Sequence, residues 1–285
     1  MRGQVQRGAS SAAIAAHYDV SDSFYSLWLD PTLTYSCAFW ATSNDTLEAA
    51  QLRKLDFHAR EVGCPRVRRV LDVGCGWGSM LRRLVEFHGV DHAIGLTMSA
   101  AQEAWIRGRP NPKLEVRLES WESHDSAEPY DGIVSIGALE HFVRPSLPSA
   151  ERVEVYRSFF QRCRSLLRTN GRLSLQTSAY SRGGFVTGAI ASIFPESDLP
   201  RLSELVTAAE GVMEVVALRN DREDYSRTCS SWLSALKTHR DEAISLVGDE
   251  TVLRFERFLE AAIKGFELEI FHLLRLTLRR FDPAR

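Results

Sequence analysis

Apolar and polar positions along this chain follow two different periods. From Arg69 onward, short apolar runs alternate with amphipathic stretches. Strands are predicted at 70–73, 93–96, 114–118, 132–136 and 171–177, with helices between them, most clearly over 152–167. That βαβα order predicts an α/β fold built on a mostly parallel sheet with helices on both faces. Ahead of it, 12–29 reads as one or two short helices, with Ser21 or Asp22 as a cap and Asp30-Pro31 as the stop. Thr46 precedes another helix carrying Leu47, Leu52, Leu55 and Phe57. Near the end, helices are predicted at 231–246 and 250–264, with Gly265 as a stop. Leu274, Leu276 and Leu278 then alternate with Arg275, Thr277 and Arg279, which predicts a last strand ending near Phe281. Residues 178–200 break the pattern with Gly183, Gly184, Gly188, Pro195 and Pro200, and read as a lid with one short apolar helix at 186–194. The expected organisation is an N-terminal helical cap over 1–60 and a main domain over 61–285, with the lid around 178–230.

The run Val70-Leu71-Asp72-Val73-Gly74-Cys75-Gly76-Trp77-Gly78 carries the strongest chemical signal. A buried strand breaks into three glycines spaced two apart, and an amphipathic stretch, 79–87, follows. Without Cβ atoms, such a turn lets a ligand lie against bare backbone at the carboxyl end of a parallel strand. The dinucleotide pattern Gly-x-Gly-x-x-Gly does not fit, because Gly78 comes one residue early. The run resembles motif I of class I S-adenosylmethionine-dependent methyltransferases instead. That likeness implies that Asp72 orients the methionine end, and that Gly74, Gly76 and Gly78 pass beneath the adenosine and sulfonium. The next strand ends in Gly95-Leu96-Thr97-Met98-Ser99 with no acid to hold a ribose, so Thr97 and Gln102 are the candidate hydrogen-bonding groups there.

Four further blocks make the resemblance specific. Gly95-Leu96-Thr97-Met98-Ser99-Ala100-Ala101-Gln102 is similar to a run in the cyclopropane fatty acid synthases and mycolic acid methyltransferases. His17-Tyr18-Asp19-Val20-Ser21, with the stretch through Thr34-Tyr35-Ser36-Cys37-Ala38-Phe39, resembles that family's N-terminal signature. Ser135-Ile136-Gly137-Ala138-Leu139-Glu140-His141-Phe142 resembles its fourth-strand motif, and Asp224-Tyr225-Ser226-Arg227-Thr228 its late tyrosine block. The blocks occur in the family's order from about residue 15 to the C-terminus. The resemblance implies a Rossmann-like class I methyltransferase fold with N-terminal helices and a lid insertion. It implies that S-adenosyl-L-methionine is the cofactor and S-adenosyl-L-homocysteine the product. It also implies cofactor contacts from Tyr35, Ser36, Gly74, Thr97, Gln102, Trp121, Glu122 and Ile136. An indole at Trp121, after the third strand, could equally stack on adenine or fill the core.

Composition limits the alternatives. The chain has 285 residues and a formal net charge of −2, so it carries no basic field for nucleic acid. Hydrophobic content of 44% and charged content of 25% fit an ordinary globule, and no apolar run reaches the ~20 residues of a membrane span. Five scattered cysteines show neither a disulfide framework nor zinc spacing, and a cytoplasmic location is expected. No metal is expected. His88 and His92 are four apart, but Gly89-Val90-Asp91 between them reads as a turn.

The family's chemistry adds a methyl carbon to an alkene. The resemblance implies a bicarbonate base held by the backbone at Cys37 and Gly137, by Glu140, by a fifth-strand histidine and by Tyr225. Here Gln176 stands where that histidine belongs. Glutamine does not titrate near neutral pH, so a bicarbonate base and cyclopropane formation both come into question. Glu140 is the first candidate for a replacement base or for stabilising a cation, and His141 the second. Tyr225 would orient Glu140 or face the cation. The short lid and the missing histidine point to C-methylation of an alkene in a small hydrophobic prenyl or terpenoid natural product, such as a prenylated indole alkaloid. The alternative is a cyclopropane fatty acid synthase or a fatty-acyl or mycolic acid methyltransferase acting on an unsaturated acyl chain. A homo-oligomer is expected, with the N-terminal segment covering a neighbouring site.

Overall fold

The computed structural model describes residues 8–10, 13, 20–181, 188–280 and 282. Seven strands, β1 (Arg69–Val73), β2 (His92–Thr97), β3 (Leu114–Leu118), β4 (Tyr130–Ile136), β5 (Leu167–Tyr180), β6 (Glu214–Asn220) and β7 (Phe271–Arg279), form one sheet. Their order is β3-β2-β1-β4-β5-β7-β6. β1 to β5 pair in parallel, and β7 is antiparallel to both β5 and β6. The helices are α1 (Asp22–Ser26), α2 (Leu47–Glu61), α3 (Ser79–Phe87), α4 (Ala100–Arg107), α5 (Ser149–Leu166), α6 (Gly188–Ala191), α7 (Leu202–Ala209), α8 (Arg222–Thr238), α9 (Arg240–Val247) and α10 (Asp249–Glu267).

Period-2 alternation assigns the faces of the sheet. Leu71, Val73, Ile94, Leu96, Leu173 and Leu175 pack under Val155, Phe159 and Phe160 of α5 and Leu205 of α7. Val70, Ala93 and Val134 point the other way, onto Leu55 and Ala59 of α2, Leu81 and Leu84 of α3, and Ile106 of α4. A third cluster has no strand in it. Phe24 and Tyr25 pack edge-on against Phe255 of α10, with ring centroids 5.0 and 6.1 Å apart, and Trp28 packs edge-on against Trp232 of α8 at 5.9 Å. The N-terminal segment is thereby fastened to the C-terminal helices.

The caps explain where several helices begin. Ser21 accepts from Phe24 N and starts α1, Thr46 accepts from Ala49 N and starts α2, and Ser99 accepts from Gln102 N and starts α4.

The structure departs from the sequence expectations in definite ways. The stretch 231–246 is two helices meeting at His239, and the first of them begins at Arg222. Gly265 lies inside α10 rather than ending it. β5 begins at Leu167, four residues ahead of the expected start, and β7 ends at Arg279. The span 178–230 holds the end of β5, α6, α7, the whole of β6 and the start of α8. β6 is an exposed edge strand whose apolar run, Val215-Val216-Ala217-Leu218, lacks alternation and is broken by a bulge. His17, Tyr18, Asp19, Gly183, Gly184, Phe185, Phe281 and the part of the expected 186–194 helix before Gly188 lie outside the described residues.

Close packing of β2 under the glycine turn depends on Gly95. A Cβ there would sit 2.6 Å from Leu81 Cδ1 and 2.7 Å from Cys75 Sγ. Gly95→Ala is expected to lower unfolding stability by about 1–3 kcal/mol, as overpacking does. Urea denaturation measures it, and an unchanged midpoint would contradict this packing.

Candidate active site

The site begins where β1 ends. Gly74, at φ 82°, turns the chain back, and the Gly74 and Cys75 N–H groups donate to Leu96 O at 3.0 and 2.9 Å. Only glycine fits at Gly74, since a Cβ would lie 2.6 Å from the Cβ of Ala138. Gly76, at φ 54°, faces open space. The turn forms one wall of a cavity completed by Asp72, Thr97, Gln102, Trp121, Ile136, Tyr35 and Ser36. Thr97 Oγ1 donates to Gln102 Oε1 at 2.7 Å, which leaves the Gln102 amide nitrogen for a ligand. Gln51 of α2 holds the Tyr35 segment by donating to Thr34 O at 3.1 Å and Ser36 O at 2.9 Å.

Two of the expected cofactor residues are not on this wall. Gly78 is the N-cap of α3 and packs by Ile106. Glu122 is exposed, with its N–H turned to Ser120 Oγ. Glu119 and Ser120, just ahead of Trp121, line the cavity instead.

A second cavity shares Tyr35, Ser36, Gly137 and His141 with the first. It brings together Glu140, His141, Gln176 and Tyr225, which are far apart in sequence. Its remaining wall is mostly apolar: Ile190 of α6, Phe194 and Leu199, Phe258, Ala262 and Phe266 of α10, and Phe271 and Leu273 of β7. The Tyr225 ring lies 4.7 Å from that of Phe266. Gly265 lets α10 approach β7, since a Cβ there would sit 2.3 Å from the Phe271 ring.

Glu140 lies in the short 3-10 turn Leu139–His141 after β4. Its Oε1 accepts from Ser178 N at 2.7 Å. Although the residue as a whole is only part-buried, its Oε2 is buried and has no hydrogen-bond partner. Burial pushes the Glu140 carboxyl up to about 7. Burial also pulls His141 down to about 4, so its imidazole is neutral at pH 7, with Nδ1 2.6 Å from Ser197 Oγ. Gln176 is locked from behind. Its Oε1 accepts from Arg275 Nε at 2.8 Å and its Nε2 donates to Cys37 O at 3.3 Å.

Behind these residues lies a polar layer that the sequence analysis did not anticipate. Gln51, Lys54 and His58 occupy one stripe of α2 and are buried against the sheet. His58 Nδ1 lies 2.7 Å from Ser174 Oγ, and its Nε2 lies 3.4 Å from Gln176 Oε1. Lys54 Nζ donates to Ser36 Oγ at 2.8 Å. Arg275, on β7, is fully buried and pairs with Asp221 and, at 3.6 Å, with Asp224. The one available signal was the i, i+3, i+7 spacing of Gln51, Lys54 and His58, which resembles an ordinary solvated stripe.

Residues 5–276 match the family model described as mycolic acid cyclopropane synthetase. The chain belongs to that family. It is 34% identical to cyclopropane mycolic acid synthase 2 of Mycobacterium leprae, over 93% of this chain and 92% of the relative. It is 35% identical to the hydroxymycolate synthase MmaA4 of Mycobacterium tuberculosis, over 93% and 91%. The solved structure of the mycolic acid cyclopropane synthase CmaA1 with SAH and CTAB superposes with a TM-score of 0.85 at 31% identity, covering 95% of this chain and 99% of that one. The fold is that of the class I methyltransferases, and S-adenosylmethionine is the family's cofactor. The residues present fit it, through the bare backbone of the glycine turn and an Asp72 Oδ1 that is buried without a partner. These relatives overturn the expectation of a prenyl or terpenoid acceptor, because those that match nearly end to end are mycolic acid synthases. Gln176 is one departure from the expected site, and the cavity wall is shared between the expected lid, through Ile190, Phe194, Ser197 and Leu199, and α10, through Phe258, Ala262 and Phe266.

Glu140 gives this site a defined pH signature. Its ordinary value is 4.5 and its folded value about 7, so the unfolded chain releases a proton that the folded one keeps. Its contribution to stability is therefore full below pH 4.5 and lost as pH rises through 7. Glu140→Gln is expected to be more stable than the native protein by about 1–3 kcal/mol at pH 8 and nearly equal at pH 4. Denaturation at both pH values tests this, and equal differences at both would contradict it.

Proposed function

We propose that this chain transfers a methyl group from S-adenosylmethionine to a double-bond carbon of an unsaturated acyl chain of the mycolic-acid type, and that Glu140 takes the proton lost as a cyclopropane closes. The observation that carries this reading is the bare, buried Oε2 of Glu140 in an aromatic-lined cavity that shares four residues with the cofactor cavity. The names of the end-to-end relatives support the acyl acceptor.

Bound S-adenosylmethionine supplies an electrophilic methyl carbon. The common wall of Tyr35, Ser36, Gly137 and His141 sets the acceptor beside it, and such positioning supplies much of the acceleration. The apolar lining excludes water, which would otherwise capture a cationic carbon. Phe194, Phe258, Phe266, Phe271 and Tyr225 offer ring faces to that charge. With its value near 7, Glu140 is substantially ionised at neutral pH and can accept a proton. A C–H bond of the added carbon breaks, its electron pair closes the three-membered ring, and the proton passes to Oε2. Neutral His141 shapes the wall. Gln176, locked between Arg275 and Cys37 O, offers no base, and bicarbonate is not required. All five cysteines are free, which suits a reducing compartment, and we place the enzyme in the cytoplasm. Among the described residues no helix is long and apolar enough to cross a membrane.

Methyl-labelled S-adenosylmethionine with cis-monounsaturated acyl chains is the direct test, and label is expected in a cyclopropane. A methyl-branched alcohol in its place would show that water, not Glu140, ends the reaction, and no incorporation would refute the acceptor class. Glu140→Gln is expected to cut turnover by about 10²–10⁴-fold with SAH affinity unchanged, and removing bicarbonate should leave the rate as it was. Equal loss of turnover and SAH binding would make Glu140 structural.

A further inference from the structure

The end of the expected lid is tied down by charges that line neither the cofactor cavity nor the second one. Arg152 of α5 is 6% exposed. Its Nη1 donates to Asp198 Oδ2, its Nη2 to Leu199 O at 2.5 Å, and its Nε to Glu204 Oε1 of α7 at 3.0 Å. Asp198 Oδ1 accepts from the Tyr180 hydroxyl at 2.7 Å and from Leu199 N at 3.0 Å. Tyr180 N in turn donates to Pro200 O at 2.9 Å. The segment 197–200 is thereby pinned to α5, α7 and the end of β5.

The same segment grips the turn that follows β4. Asp198 N donates to Glu140 O at 3.1 Å, and Ser197 Oγ lies 2.6 Å from His141 Nδ1. Ser197 and Leu199, on either side of Asp198, line the second cavity together with Glu140. Replacing a buried ion pair by apolar packing is often neutral for stability, so the Arg152–Asp198 pair is better accounted for by what it holds in place. Around Glu140 stand neutral His141 on its own turn, Thr177 and Ser178 of β5, Tyr225 of α8 and Tyr156 of α5. Burial acts on the Glu140 carboxyl most strongly, hydrogen bonds from Ser178 and Thr177 less so, and no neighbouring charge is among its causes.

We propose that Asp198, clamped by Arg152 and Tyr180, is a positioning residue for Glu140 and His141. Through its backbone it fixes their turn, and through Ser197 and Leu199 it keeps water from the Glu140 carboxyl. The importance of this for methyl transfer rests on Glu140 being the base, whereas the positioning itself does not.

Carbon-13 NMR titration of the Glu140 carboxyl reads the positioning without an acceptor. Asp198→Ala frees the segment and admits water, which favours the charged form, so the midpoint is expected to fall from about 7 to below about 6. Asp198→Asn keeps an acceptor for the Tyr180 hydroxyl but loses the charge, and its midpoint is expected to fall less than roughly half as far. An unmoved midpoint in Asp198→Ala would make Asp198 merely structural, and an equal fall in Asp198→Asn would show a charge effect instead. Either result overturns the proposal. If Asp198→Ala does not fold, Tyr180→Phe decides, since it removes one clamp and keeps the ring. A fall of at least about 0.3 is expected there, and no fall overturns the clamp. The titration stays readable if acyl chains receive no methyl group, so the two readings fail separately.

Discussion

A guanidinium cut off from water must be neutralised by its immediate neighbours, and Arg275 is 1% exposed. Its neighbours come from three parts of the chain. It reaches Gln176 on β5, Ala38 O in the segment ahead of α2, and Asp221 and Asp224 at the start of α8, while β7 carries it. The Phe39 ring lies 4.8 Å from it. These contacts fix three things the site needs: the orientation of the Gln176 amide, the strand of backbone through Tyr35 and Cys37, and the first turn of α8, where Tyr225 sits. Removing the charge would leave carboxylates and carbonyls stranded at each, so the antiparallel edge of the sheet and both cavities stand or fall together.

The same exclusion of water sets the chemistry. Glu140, Asp72, His141 and Lys54 all favour their neutral forms more than they would in solution, because burial penalises charge whichever sign it has. Glu140, Asp72 and Lys54 are thereby each brought to about 7, close to the point of changing state at neutral pH, whereas His141, at about 4, stays neutral.

Much of this was legible beforehand, for physical reasons. Strands buried on both faces read as apolar runs, as Val70–Val73 of β1 does. The glycine turn was legible because close approach to backbone admits one residue type. The α2 stripe was not. Leu52 and Phe57 are only half-buried while Gln51, Lys54 and His58 are buried beside Leu55, so hydrophobicity marked only part of the buried face. β6 escaped notice because an edge strand exposed along its whole length has no inside to pattern against. Trp121 lines the cofactor cavity while Glu122 beside it is exposed, a difference that adjacent positions in a turn do not announce. The acceptor was misjudged because one departure, Gln176, was set against a likeness running nearly end to end.

Gly265 and Phe271 have a consequence for the shape of the second cavity. The Phe271 ring rests directly on the α10 backbone at Gly265, with no side chain between them to yield. A wall made of ring on main chain cannot be pushed back by a rotamer change, only by moving a helix. On that side the second cavity is therefore bounded by the scaffold itself rather than by any replaceable lining group.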